Sequence, residues 1–172
     1  ISDVKPEMFH ALLSYMYAGE ISEDFLKDNA KDLIDAADRY EVVALKLEAE
    51  AALVASVEIT LDNAAEELLY SHSKNLALLK ETVMDFIVEN RAEVIKKVSF
   101  GTDVPGDLMT DLLVADSDEA MRVTALRMRL GEKGLHVDGS REAMIARLEA
   151  AKDVDANRLT LQAMIARLEA NS

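Results

Sequence analysis

The chain has 172 residues and no cysteine, and half of it is hydrophobic, yet no apolar run approaches the roughly 18 residues that span a bilayer. Its net charge of −14 is uneven: residues 1–120 carry 10 Lys/Arg against 26 Asp/Glu, a balance of −16, and residues 121–172 carry 9 against 7, a balance of +2. Disulfides and thiolate zinc sites are thereby excluded, one ordinary domain or two small ones fit the length, and any attraction to phosphate backbones is confined to the C-terminal segment.

The chain opens Ile1-Ser2-Asp3-Val4, an alternation that fits a short strand, without an initiating Met or the charged and apolar regions of a secretory signal. It reads as a piece of a longer polypeptide. Between Gly19 and Gly101 there is neither Gly nor Pro, so tight turns are scarce and the fold class is all-α. Pro6 suits the first position of a helix, Glu7 its first turn, and Gly19 its stop. Phe9, Leu12, Leu13 and Met16 are expected on its buried face. Asp28 or Asn29 can cap a second helix with Leu33, Ile34 and Ala37 inward. A third runs through Leu45, Leu47 and residues 49–55. Asp62-Asn63 opens a fourth with Ala65, Leu68 and Leu69. Residues 76–89 form a fifth, burying Leu79, Val83, Phe86 and Ile87. A short helical segment at 94–98, a loop at 99–106, a brief helix at 108–114 and a stop at Asp116-Ser117-Asp118 complete this region.

These residues carry a resemblance. Ile1-x-Asp3-Val4-x-Pro6-x-x-Phe9-x-x-Leu12-Leu13-x-Tyr15-x-Tyr17-x-Gly19 resembles the last strand and fourth helix of BTB domains. Ala36-Ala37-Asp38-Arg39-Tyr40, followed by Leu45-Lys46 and Glu50, is similar to the helical pair that closes that domain. Asp62-Asn63-Ala64-Ala65-Glu66 and Phe86-Ile87-x-x-Asn90 resemble the BACK-like helices of MATH-BTB proteins. The resemblance implies a non-enzymatic adaptor on a cullin-type ubiquitin-ligase scaffold, reached through the full-length parent. The alternative is a nucleic-acid-associated structural or oligomerisation protein. The N-terminal half of such a domain, with its dimerisation surface, is missing here, as is the hydrophobic-x-Glu loop that enters the cullin. Leu12, Leu13 and Tyr40 are read as core rather than interface, because a stripe at helical spacing buries itself in its own domain first.

A second constellation lies further on. Val123, Leu126, Leu130, Gly134-Leu135, Gly139, Arg141, Ile145 and Arg147-Leu148 resemble the SAP motif, a two-helix DNA-binding unit. Leu126 and Leu130 share a helix face. Gly134 stands where a C-cap takes positive φ, with Leu135 folding back on the helix it ends. Gly139-Ser140 starts a second helix whose Met144, Ile145 and Leu148 complete a small core. The N-terminus of that helix offers free N–H groups to phosphate. The expected nucleic-acid-binding set is Arg127, Arg129, Lys133, Gly139, Ser140, Arg141 and Arg147, giving a weak, salt-sensitive contact with little base readout. The same arginines also fit a solvated face, or pairs with the acidic helices. Ala143-Met144-Ile145-Ala146-Arg147-Leu148-Glu149-Ala150 recurs unchanged over residues 163–170, and Val137-Asp138-x-x-Arg141 recurs as Val154-Asp155-x-x-Arg158. The second copy has Ala156 in place of Gly139 and no first helix, so it reads as an extra amphipathic helix.

The expected organisation is a BTB-like C-terminal part over 1–58, a BACK-like region over 59–116, a SAP-like motif over 121–150 and a partial repeat over 151–172. The expected partners are a cullin-type scaffold, DNA and possible further copies of the chain, with no membrane, in the nucleus and/or cytoplasm. No catalytic or cofactor pattern emerges. His10, His72 and His136 are isolated, Asp116-x-Asp118-x-Ala120-Met121 lacks the oxygen ligand and Gly of a calcium loop, and no phosphate-binding or nucleophile-elbow motif occurs.

Overall fold

The structure, a computed structural model, describes residues 4–90, 93 and 122–154. The readings at 1–3, 94–98, 99–106, 108–114, 116–118 and 155–172 lie outside those residues. The chain divides into two compact units, Ile1–Ser117 and Asp118–Ser172. Every regular element among the described residues is an α-helix.

Among the described residues of the first unit these helices follow one another: α1 (Pro6–Ala18), α2 (Glu23–Asp28), α3 (Ala30–Arg39), α4 (Val43–Ser56), α5 (Ala64–Ser73) and α6 (Ala77–Glu89). Pro6 begins α1, and Gly19 ends it at φ 75°, its N–H donating to the Tyr15 carbonyl at 2.7 Å. The face of α1 that is buried differs from the expected one. Met8 and Leu12 are buried, Phe9 and Leu13 are half-buried, and Met16 is 62% exposed. Met8 and Leu12 are four apart and share a stripe that meets α3; Phe9, Leu13 and Met16 lie one stripe round the helix. Tyr40 also differs: it stands at the surface, 39% exposed, its ring tilted against Phe9 at 5.8 Å.

Helix α2 has no counterpart in the sequence reading. Its six residues fall well short of a stable isolated helix, so the buried Leu26 and packing on α4 must hold it. Helix α3 is the most deeply set. Ala30, Leu33, Ile34, Ala36 and Ala37 are all buried, and the small side chains of Ala36 and Ala37 let neighbouring helices approach closely. Its chief partner is α4; α5 pairs with α6, and α4 with α6. Leu45, Ala49, Leu53, Leu68, Leu76, Leu79, Val83 and Ile87 complete one continuous apolar core.

Asn63 organises the entry to α5 by reaching backwards. Its Oδ1 accepts the Thr60 N–H at 2.7 Å and its Nδ2 donates to the Glu58 carbonyl at 2.9 Å. At the end of α6, Asn90 donates from both its backbone N–H and its Nδ2 to the Phe86 carbonyl. Helix α6 opens on Leu76, which offers no capping side chain. The deficit is met from α4: the carboxylate of Glu50, only 1% exposed, accepts the Leu78 and Leu79 N–H groups at 2.8 and 3.2 Å. Two of the four orphan donors of a helix start are thereby satisfied by another helix.

Candidate functional site

In the second unit, helix α7 (Val123–Glu132) is followed by a loop and by helix α8, described over residues 141–154. The buried side chains are Val123, Leu126 and Leu130 from α7 and Met144 and Leu148 from α8. The end of α7 closes with two bonds, Leu135 N–H to the Leu130 carbonyl at 2.9 Å and Gly134 N–H to the Gly131 carbonyl at 3.0 Å. Gly134 itself has φ 66°. This is the Schellman closure, in which a residue without Cβ takes the left-handed position at no steric cost. Ser140 then caps α8, its Oγ accepting the Ala143 N–H at 3.3 Å.

The seven residues expected to meet nucleic acid fall into two groups. Gly139, Ser140 and Arg141 lead directly into the N-terminus of α8, and Arg147 returns to the same place from two turns further along. Gly139 takes φ 97°, and a Cβ built on it would stand 3.0 Å from Nη2 of Arg147. The guanidinium of Arg147 donates through Nη1 to the His136 and Asp138 carbonyls at 2.9 and 2.5 Å, with Oδ1 of Asp138 at 4.0 Å. Arg127 and Arg129 lie on α7 and are half-buried, while Lys133 is exposed at its C-terminal end. Two residues apart on a helix is roughly 200° around its axis, so Arg127 and Arg129 flank the Leu126–Leu130 stripe on opposite sides. Sequence reasoning missed Asp138 and the His136 carbonyl as Arg147's partners. Nothing in the pattern marks them, because a backbone acceptor carries no residue type.

The first unit presents a different surface. An open groove of about 560 Å³ lies between α1 and the residues leading into α2, with Pro6, Ala11, Ile21 and Phe25 among its apolar walls and Glu7 and Glu20 among its acidic ones. Met16 and Tyr17 are exposed on α1, Tyr17 at 91%. Burial and the hydrogen bond to Glu48 Oε1 at 2.7 Å push the Tyr15 phenol up to about 12. Burial, with Asp35 and Glu67 nearby, also raises Tyr70. Among the described residues no group of three His, Asp or Glu side chains could hold a metal ion, and no helix is long and apolar enough to cross a membrane.

Residues 1–57 match the BTB/POZ domain family. The chain is 32% identical over 96 residues to TD and POZ domain-containing protein 4 of Mus musculus, covering 56% of this chain and 25% of that protein. It is 28% identical over 100 residues to BTB and MATH domain-containing protein 40 of Caenorhabditis elegans, covering 58% of this chain and 24% of that one. The chain thus matches about a quarter of the length of these relatives.

Proposed function

We propose that this chain, whose residues 1–57 match the BTB/POZ domain family, is a protein-interaction adaptor with a nucleic-acid contact at its C-terminal end. BTB/POZ is a non-catalytic interaction domain, and its match at residues 1–57 carries the reading. The exposed Met16 and Tyr17 and the groove along α1 support it, since they offer apolar surface to a partner. The cullin-type ubiquitin-ligase scaffold is the proposed partner of the full-length protein, with residues 59–116 acting as its BACK-like extension and further copies of the chain as a second partner. Affinity capture of the full-length protein, scored for a cullin, tests this. The isolated 172-residue chain is expected to bind a cullin weakly or not at all, because the hydrophobic-x-Glu loop is not in it and a few central contacts carry most interface energy. Full-length protein that recovers no cullin would leave a nucleic-acid-associated structural or oligomerisation role.

For residues 121–150 the proposed role is a SAP-like contact with duplex DNA at a site formed by Arg127, Arg129, Lys133, Gly139, Ser140, Arg141 and Arg147, and for 151–172 an added amphipathic helix. The nucleus and/or cytoplasm is the proposed location. The capped N-terminus of α8, with Arg141 at its first position, is the supporting geometry. Fluorescence anisotropy on a labelled duplex from about 20 to 200 mM salt, where the Debye length shortens from roughly 20 to 7 Å, is the test. A log–log slope near −3, for roughly three or four neutralised phosphates, and loss of most binding in Arg141→Glu are expected. A flat salt response would make these arginines a solvated face.

A further inference from the structure

Arg147, one of the seven residues of the proposed nucleic-acid face, turns Nη1 of its guanidinium inward onto the chain's own backbone. A helical side chain leans toward its own N-terminus, so a long residue two turns into α8 can reach back about 9 Å to the loop that precedes the helix. Nη1 does so, meeting the carbonyls of His136 and Asp138. Among the described residues no backbone N–H donates to either carbonyl. Nη2 lies against Gly139, 3.0 Å from where a Cβ would stand, and Oδ1 of Asp138 at 4.0 Å offsets part of the cation's charge. The start of the loop is closed by the bonds at Gly134 and Leu135. Its far end, which sets the approach to Ser140 and Arg141, meets the Arg147 guanidinium.

We infer that Arg147 is a positioning residue, which braces residues 136–139 and so fixes the α8 N-terminus, and that it does not itself contact phosphate. This rests on the nucleic-acid reading of the second unit and assigns Arg147 a role different from that of Arg141. Nη1 carries two N–H groups fixed in the guanidinium plane, so it can hold both carbonyls at once in a set geometry that a freely rotating ammonium lacks.

The test uses the full 172-residue chain, a labelled duplex over the same salt range, and ¹H–¹⁵N spectra of each variant. Arg147→Gln is expected to lower affinity roughly tenfold, the scale of losing charge-assisted hydrogen bonds, while leaving the salt slope unchanged. It should move the amide resonances of Gly139, Ser140 and Arg141 and leave those of Leu126 and Leu130 in place. Arg147→Lys should restore part of the affinity. Gly139→Ala, which strains the backbone at φ 97° and brings a Cβ to 3.0 Å from Nη2, should disturb the same loop resonances, and the double variant should lose less affinity than the sum of the two. A slope reduced by about 0.9 with the loop resonances unmoved would put Arg147 on a phosphate and overturn the inference. Unchanged affinity would overturn it too, as would resonance changes spreading to Leu126 and Leu130, which make Arg147 a residue of the fold at large. If the unmodified chain binds no duplex at the lowest salt, the nucleic-acid reading itself fails and the positioning role goes with it. The loop resonances then still report separately whether Arg147 braces the loop.

Discussion

Helices α3, α5 and α7 close with the same pair of hydrogen bonds, on left-handed residues of three kinds: Glu41 at φ 56°, Asn75 at φ 55° and Gly134 at φ 66°. Asn tolerates that conformation and Gly does so freely, but Glu pays for its Cβ. Glu41→Gly is therefore expected to raise stability by about 0.5–1 kcal/mol in urea denaturation, part of the conformational gain being offset by unfolded-state entropy. A loss of stability would mean that the Glu41 side chain makes a contact worth more than the strain. Glu50 should behave in the opposite way. Glu50→Ala strips the α6 N-terminus of its acceptor inside the core and should cost about 2–4 kcal/mol, with Glu50→Gln costing less because one carbonyl oxygen remains. Equal losses for the two variants would show that the negative charge, and not the acceptor, matters. Tyr15 gives a pH test. Its folded value is raised to about 12 from an ordinary 10, so its contribution is fully present below pH 10 and is lost as pH climbs toward 12. Tyr15→Phe should flatten the fall in stability over that window, read from urea midpoints at pH 9 to 12.

At the scale of elements, α3 is where the first unit is tied together. Asp32, Asp35 and Asp38 recur every three residues along one side of it and hold Lys5, Lys74 and Lys46, drawn from before α1, after α5 and within α4. Lys31, also on α3, reaches the buried Glu67 of α5 at 2.6 Å and lies over the Tyr70 ring. The three aspartates are about half exposed, and pairs so open to water contribute roughly 0–1 kcal/mol each, so they set register more than they hold the helices together. The opposite face does that. Ala37, fully buried, leaves no room for a larger side chain between packed helices. Ala37→Leu should cost about 1–3 kcal/mol by overpacking, whereas Asp35→Asn should stay within about 1 kcal/mol, both measured by thermal or urea unfolding. The reverse order would place the stability of α3 in its ion pairs.

Across the whole molecule, charge divides as sharply as fold does. Residues 1–120 carry −16 and residues 121–172 carry +2. An acidic region repels phosphates that a weakly basic one attracts, over distances comparable with the Debye length. Residues 121–150 alone should therefore bind duplex DNA more tightly than the full chain at about 20 mM salt, and the gap should narrow at about 200 mM. Equal affinity at low salt in anisotropy would show that the acidic residues lie too far from the bound duplex to matter.

Much of this protein is legible in its sequence, because helical periodicity and punctuation are local. Residues 29 and 63 as starts, Gly19 and Gly134 as stops, the inward Leu33, Ile34, Leu79, Val83 and Ile87, and the small core of Leu126, Leu130, Met144 and Leu148 were all legible from spacing and residue type. So was the all-α class and the likeness to a BTB/POZ domain at the start of the chain. What stayed hidden depends on contacts between residues distant in sequence. The face that α1 buries turns on where α3 lies against it, which selects Met8 over Met16. Helix α2 is too short to announce itself and exists because Leu26 finds a core. Glu50 looks like any surface carboxylate until α6 arrives 28 residues later and places its bare N–H groups on it. Arg147 looks like one more cation on a basic segment. Only the folded loop decides that its guanidinium turns inward onto two carbonyls, because backbone acceptors have no signature in sequence and are aimed by the chain's path alone.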